Sequence, residues 1–76
     1  RYAGEYADAA YGVGKVTADG GRLTWAWGSW RCPLEHYQGD QFRVTDGFFT
    51  DQLVEFRVTN GTPGAVRAMG VVFGRK

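Results

Sequence analysis

The fold class of this chain is decided by a stretch of ten residues, Asp19-Gly20-Gly21-Arg22-Leu23-Thr24-Trp25-Ala26-Trp27-Gly28. Its first three residues tolerate positive φ angles or pre-set a turn. After them Leu23, Trp25 and Trp27 alternate with other residues, so the three large side chains share one face of a strand. A tight turn followed by strict alternation predicts a β-strand that leaves a hairpin.

The same combination recurs along the rest of the chain. Further turn residues stand at Gly39-Asp40, Asp46-Gly47 and Asn60-Gly61-Thr62-Pro63-Gly64. The runs between turns are rich in Val, Thr, Phe, Tyr and Trp, and they predict seven strands: Tyr2–Tyr6, Gly12–Ala18, Arg22–Gly28, Arg31–Tyr37, Gln41–Thr45, Gln52–Thr59 and Ala65–Phe73. Short strands at even spacing predict an all-β fold, an antiparallel meander of about six to eight strands forming a small barrel or half-barrel.

Two segments need a separate interpretation. Gly70 interrupts the alternation of the last strand, which indicates a bulge or a strand bent around a closing barrel. Glu5–Ala10 is the one helix candidate, and it competes with the end of the first strand.

Length and composition limit the classes of protein to consider. The chain has 76 residues, which predicts a single domain over residues 1–76. One cysteine cannot form an internal disulfide, and a net charge of +1 gives nucleic acid little electrostatic attraction. The apolar runs are far shorter than the ~20 residues of a membrane helix, so no membrane span is expected. No signal peptide is visible, and a start at Arg1 indicates a piece of a longer protein.

Few residues could carry catalysis, and their arrangement predicts none. Ser29 begins no Ser-x-x-Lys motif and has no nucleophile-elbow glycines around it, so we interpret it as a turn residue. Cys32 and His36 face the same side of a strand, but four residues of strand separate their Cα atoms by about 13 Å. A buried Cys32 and a hydrogen-bonded or exposed His36 are the expected roles. No metal site or cofactor is expected, because a zinc site needs three or four ligands.

The tryptophans are the candidate ligand-binding residues. Exposed tryptophans can stack on sugars or bases, but a small chain also needs large side chains in its core. Trp25 and Trp27 therefore have core packing as their first interpretation. Trp30 lies outside their register and is the better candidate for a surface or interface contact. A ligand pocket built from Trp25, Trp27 and Trp30, with His36 as a polar group, is the alternative.

The order of several motifs resembles that of a known family. These are an opening Tyr2-Ala3-Gly4-Glu5-Tyr6, then Tyr11-Gly12, then Cys32-Pro33-Leu34-Glu35-His36-Tyr37 with Asp40-x-Phe42, and later Leu53-Val54-Glu55-Phe56. Together they resemble the small β-domain of unknown function found C-terminal to β-lactamase-related, penicillin-binding-protein-like serine hydrolases. The most specific piece is the Pro-Leu-Glu-His-Tyr stretch with the Asp-x-Phe after it.

The resemblance implies a fold and a role. It implies a lipocalin-like antiparallel barrel or half-barrel, serine chemistry in a preceding domain, and export to the periplasm or the exterior. The short segment Asp46–Asp51 departs from the family pattern, which predicts the loss of part of a strand.

Three functions follow as expectations. The first is a non-catalytic accessory domain that packs against the catalytic domain of a serine hydrolase or against another subunit. The alternative is a stand-alone barrel that binds a small hydrophobic ligand in an aromatic-lined pocket. A homo-oligomeric structural module is the third, because a domain of 76 residues has a thin core and gains stability from self-association.

Overall fold

The structure is a computed structural model that describes residues 2–76. Eight strands account for most of this part of the chain: β1 (Gly4–Asp8), β2 (Gly12–Asp19), β3 (Arg22–Trp27), β4 (Trp30–Gln38), β5 (Gln41–Val44), β6 (Leu53–Thr59), β7 (Thr62–Ala68) and β8 (Val71–Arg75). The prediction of an all-β fold is confirmed.

The strands form a closed barrel. Each strand pairs antiparallel with the next, and β1 also pairs with β8, which completes the ring. Of the two arrangements that the sequence left open, the barrel is therefore correct. The short segment 46–51 becomes the loop between β5 and β6, and ring closure survives because β5 still pairs with β6 over Gln41–Arg43.

The last predicted strand is wrong as a single element. Residues 65–73 divide between β7 and β8, and the break at Gly70 is a hairpin turn instead of a bulge. Met69 and Gly70 have φ angles of 53° and 76°, and two successive positive φ angles are typical of the tightest antiparallel hairpin turn. The prediction failed because Met is an unusual residue for that first turn position.

The termini of the predicted elements need smaller corrections. The helix candidate Glu5–Ala10 is wrong, since its residues lie in β1 and the following turn. The first strand runs over Gly4–Asp8 instead of Tyr2–Tyr6. Pro63, expected in a turn, is a buried residue of β7.

Side chains fill the inside of the barrel. An eight-stranded barrel is just wide enough for the inward-facing residues to meet at its axis. The largest fully buried side chains are those of Trp25, Tyr6 and Phe73, and the Trp25 and Phe73 rings meet edge to face with centroids 5.0 Å apart. The rest of the core consists of small and large apolar side chains and one thiol: Val16, Cys32, Leu34, Phe42, Val44, Val54, Phe56, Val66 and Ala68.

Because neighbouring strands are antiparallel, successive connections lie at alternate ends of the barrel. The β1–β2, β3–β4, β5–β6 and β7–β8 connections share one end, which we call the aromatic end because Tyr11, Trp27, Trp30, Phe48 and Phe49 lie in or beside them. The β2–β3, β4–β5 and β6–β7 turns share the opposite end with residues 2–3 and 76.

Candidate functional site

The aromatic end is covered by ring side chains from three of its four connections. Trp30, beside the β3–β4 turn, contacts Phe48 and Phe49 of the β5–β6 loop, with ring centroids 5.4 and 4.9 Å away. Phe48 and Phe49 also meet each other edge to face at 5.1 Å. Phe48 is 79% exposed and Trp30 40% exposed, so this cluster presents apolar rings to solvent.

A second aromatic pair lies at the same end. Tyr11, from the β1–β2 turn, is exposed, and its ring centroid lies 6.2 Å from that of the half-buried Trp27. The Trp27 indole Nε1 donates a hydrogen bond to the Tyr11 carbonyl oxygen over 2.7 Å, which anchors the turn to β3. Tyr11, Trp27, Phe49 and Met69 line a shallow pocket of about 190 Å³, with Val71 and Phe73.

Trp25 lies deeper, inside the barrel. It is 1% exposed, and its indole Nε1 has no hydrogen-bond partner among residues 2–76. The expectation that Trp25 belongs to the core is confirmed. Trp27 packs against the core while remaining half-buried, and Trp30 is at the surface as expected.

His36 lies at the opposite end of the barrel. It is exposed on the last part of β4, and its Nε2 lies 2.9 Å from the Gly39 carbonyl oxygen. Because a carbonyl oxygen only accepts, that nitrogen carries the proton. The ring also meets Phe42 edge to face at 5.4 Å.

The four predicted ligand-binding residues therefore do not share one pocket. The structure brings Trp27 and Trp30 together as cross-strand partners, places Trp25 in the core and leaves His36 at the other end. Phe48 and Phe49 were missed as members of the aromatic end. A signal was present, because two adjacent aromatic residues directly after the turn residues Asp46-Gly47 fall outside every predicted strand.

The residues with nucleophile or base chemistry are also dispersed. Ser29 lies in the β3–β4 turn at the aromatic end, whereas His36 is at the opposite end. Cys32 is buried between them, and burial raises the pKa of its thiol. No three of the His, Cys, Asp and Glu residues in 2–76 gather where they could hold a metal ion.

The opposite end contains a larger groove. It has a volume of about 410 Å³ and lies between the β2–β3 turn and the projecting β4–β5 hairpin. Its apolar walls include Leu23, Leu34 and Phe42, and its polar ones include Arg22 and His36. Glu35 also lines it, with Oε2 held 2.5 Å from Arg43 Nη2.

In the described part of the chain no helix has the length and apolar character needed to cross a membrane.

Comparison with known proteins assigns the chain to one family. No curated protein and no solved structure matches the chain. One family model matches residues 1–73, so the chain belongs to the family described as a domain of unknown function (DUF3471).

Proposed function

We propose that this barrel is a non-catalytic accessory domain that docks its aromatic end against the catalytic domain of a β-lactamase-related serine hydrolase. One observation carries the proposal: an exposed cluster of aromatic rings covers one end of a barrel whose interior is filled. The identity of the partner rests on the resemblance of Pro33–Tyr37 and Asp40-x-Phe42 to the domain attached to those enzymes.

The exposed rings are costly unless a partner covers them. Phe48 gains little from its own fold, since most of its side chain faces water. Exposed apolar patches of this kind mark interaction sites, and Trp, Tyr, Phe and Met are enriched at the centres of protein interfaces. The aromatic end contains all four residue types, in Trp30, Tyr11, Phe48 and Met69.

The filled interior favours docking over ligand storage. A barrel that stores a small molecule needs an internal cavity, whereas Trp25, Tyr6 and Phe73 occupy the centre of this one. The pocket at the aromatic end, at about 190 Å³, is smaller than the roughly 300–1,000 Å³ of small-molecule sites. Its size suits one inserted side chain of a partner protein.

The separation of Ser29, Cys32 and His36 supports the non-catalytic half of the proposal. A nucleophile requires a base within hydrogen-bond reach, and the topology places these groups at different levels of the barrel. Incubation of the chain alone with a chromogenic β-lactam and p-nitrophenyl esters should show no turnover. Turnover that disappears in Ser29→Ala would contradict the proposal.

A binding measurement between the barrel and the catalytic domain tests the docking. The resemblance implies that the reading frame upstream of Arg1 encodes Ser-x-x-Lys and Tyr-x-Asn, the two motifs of the catalytic domain of those hydrolases. The domain that carries them is the partner to produce separately. Calorimetry should show association that Phe48→Ser weakens by about tenfold or more, since a central aromatic contact contributes about 2 kcal/mol. Tyr37→Ser is the matched control, because Tyr37 is 56% exposed but lies on β4 beyond His36, away from the aromatic end. Equal effects of both variants, or no association, would refute docking through this end.

A further inference from the structure

We propose that the groove at the opposite end of the barrel binds small amphipathic anions, a single carboxylate on an apolar chain, through Arg22. The site is separate from the aromatic end and does not depend on the docking proposal. It is formed where β4 and β5 extend beyond the β2–β3 turn, since residues 35–38 of β4 pair with β5 but not with β3.

The size of the groove is right for a small molecule. At about 410 Å³ it falls within the roughly 300–1,000 Å³ range of such sites. The pockets at the aromatic end and beside Gln41 and Arg67, at about 190 and 220 Å³, fall below it.

The apolar part of the ligand has a defined surface to cover. Leu23 is half-buried, and Leu34 and Phe42 are core residues that also line the groove. The His36 ring extends this surface, because it packs edge to face against Phe42 and its Nε2 is hydrogen-bonded to the Gly39 carbonyl oxygen. These four side chains line the groove and offer apolar surface to a short alkyl chain or a ring.

The charge preference comes from two arginines in different situations. Arg43 is shared between two carboxylates, since its Nη2 lies 2.5 Å from Glu35 Oε2 and its Nη1 lies 2.5 Å from Asp51 Oδ1, and the hydrogen bond to Glu35 is the main reason that its pKa is raised. The Glu35 carboxylate that lines the groove therefore already accepts a hydrogen bond from Arg43 at its Oε2. Arg22 is exposed, and it has no hydrogen-bond or ion-pair partner among residues 2–76. Its guanidinium is a planar donor that matches a carboxylate.

Three probes with the same six-carbon chain separate charge from apolar contact: hexanoate, 1-hexanol and hexylammonium. Titration of the ¹⁵N-labelled chain should give saturable shifts of the Gly21, Leu23 and His36 amide signals, with hexanoate binding most tightly. Arg22→Gln should weaken hexanoate by about tenfold, the loss of one charge-assisted hydrogen bond, and leave 1-hexanol unchanged.

Arg57→Gln is the matched control, since Arg57 is also exposed on β6 but lines none of the three pockets. It should leave hexanoate binding unchanged. The proposal would be overturned by the absence of a saturable shift, by shifts confined to the aromatic end, or by tighter binding of hexylammonium, which would show that Glu35 sets the charge preference. An equal loss of hexanoate affinity in Arg57→Gln would show that only the net charge matters, and would overturn it as well.

Discussion

Gly14 lies directly against the indole ring of Trp25. A β-carbon at position 14 would come within 2.1 Å of the ring atom Cη2, far inside van der Waals contact. The two residues are on adjacent strands, since Gly14 pairs with Trp27 and Val16 pairs with Trp25. The glycine is therefore needed for space, and the largest core side chain fits across the barrel only because its neighbour has no side chain.

Gly14→Ala should destabilise the fold by about 3 kcal/mol, because the added methyl group overpacks a rigid core. Denaturant unfolding followed by circular dichroism measures the loss. Gly14→Ala combined with Trp25→Phe should cost less than the sum of the two single changes, since the smaller ring vacates the clashing position. Gly20→Ala is not a suitable control because its φ is positive, but Ser29→Ala is, and it should change little. Additive effects in the double variant would contradict the contact.

Arg75 lies on β8 where this last strand pairs with β1 and completes the barrel. β1 and β8 pair through Tyr6–Arg75 and Ala7–Gly74, and next to these pairs the Lys76 amide donates a hydrogen bond to the Glu5 carbonyl oxygen. The Arg75 guanidinium donates hydrogen bonds to the carbonyl oxygens of Ala3 and Pro63, at 2.9 and 3.2 Å, and lies 5.6 Å from the centre of the Tyr6 ring.

Arg75→Ala should therefore lower the free energy of unfolding by about 2 kcal/mol. Arg75→Lys should recover only part of it, because one ammonium group does not span both carbonyls. Hydrogen exchange should show faster opening of the β1 amides in Arg75→Ala. Arg57→Ala is the control, and an equal loss in that variant would mean that Arg75 acts only through its charge.

Stability should fall at alkaline pH because of two buried groups. Burial raises the pKa of the Cys32 thiol, and it also raises the pKa of the Tyr6 hydroxyl, an effect that the Arg75 charge partly opposes. A raised pKa in the folded state means that the unfolded chain loses its proton first. The contribution to stability is thus fully present below about pH 8.5, the ordinary thiol value, and is lost as pH rises through the folded-state values.

Urea midpoints measured between pH 7 and 11 test this prediction. The midpoint should be flat near neutrality and decline above about pH 8.5, and Cys32→Ala should make the first part of the decline shallower. A midpoint that rises with pH over this range, or an identical decline in Cys32→Ala, would contradict the assignment to the thiol.

Asn60 should be sensitive to substitution in a way that depends on its backbone. Its φ is 52°, and Gly61 follows with 78°, so the β6–β7 turn needs two left-handed residues. Asn60→Ala should cost about 1 kcal/mol, whereas Asn60→Gly should be nearly neutral. Thermal unfolding distinguishes them, with Thr59→Ala as an exposed neighbour outside the turn. Equal stability of the Ala and Gly variants would contradict a conformational origin.

Local signals and the outcome of folding agree best where they concern hairpins. The glycines and Asn60-Gly61 predicted the β2–β3, β4–β5, β5–β6 and β6–β7 connections, Ser29 was predicted in the β3–β4 turn, and core packing was the first interpretation of Trp25, which is buried. The β7–β8 turn was missed because Met69 adopts a positive φ that its side chain disfavours. Gly70 was interpreted as a bulge or bend within one strand, whereas Met69 and Gly70 form the turn between two strands.

The candidate sites were less accessible to prediction. Trp27 and Trp30 were identified individually, but Phe48 and Phe49 join them only because the β5–β6 loop and the β3–β4 turn lie at the same end of a closed ring. His36 was grouped with the tryptophans by chemistry and is separated from them by topology. The groove with Arg22 depends on how far the β4–β5 hairpin extends beyond the β2–β3 turn, and no local sequence pattern predicts that distance.

By itself the sequence determined the all-β class and the approximate strands, because period-two alternation and turn residues act over a few neighbours. Tertiary structure alone decided that the ring closes through β1 and β8, that Gly14 makes room for Trp25, and that aromatic residues from distant loops meet at one end. These features arise from contacts between residues far apart in the chain, and their geometry exists only once the barrel has formed.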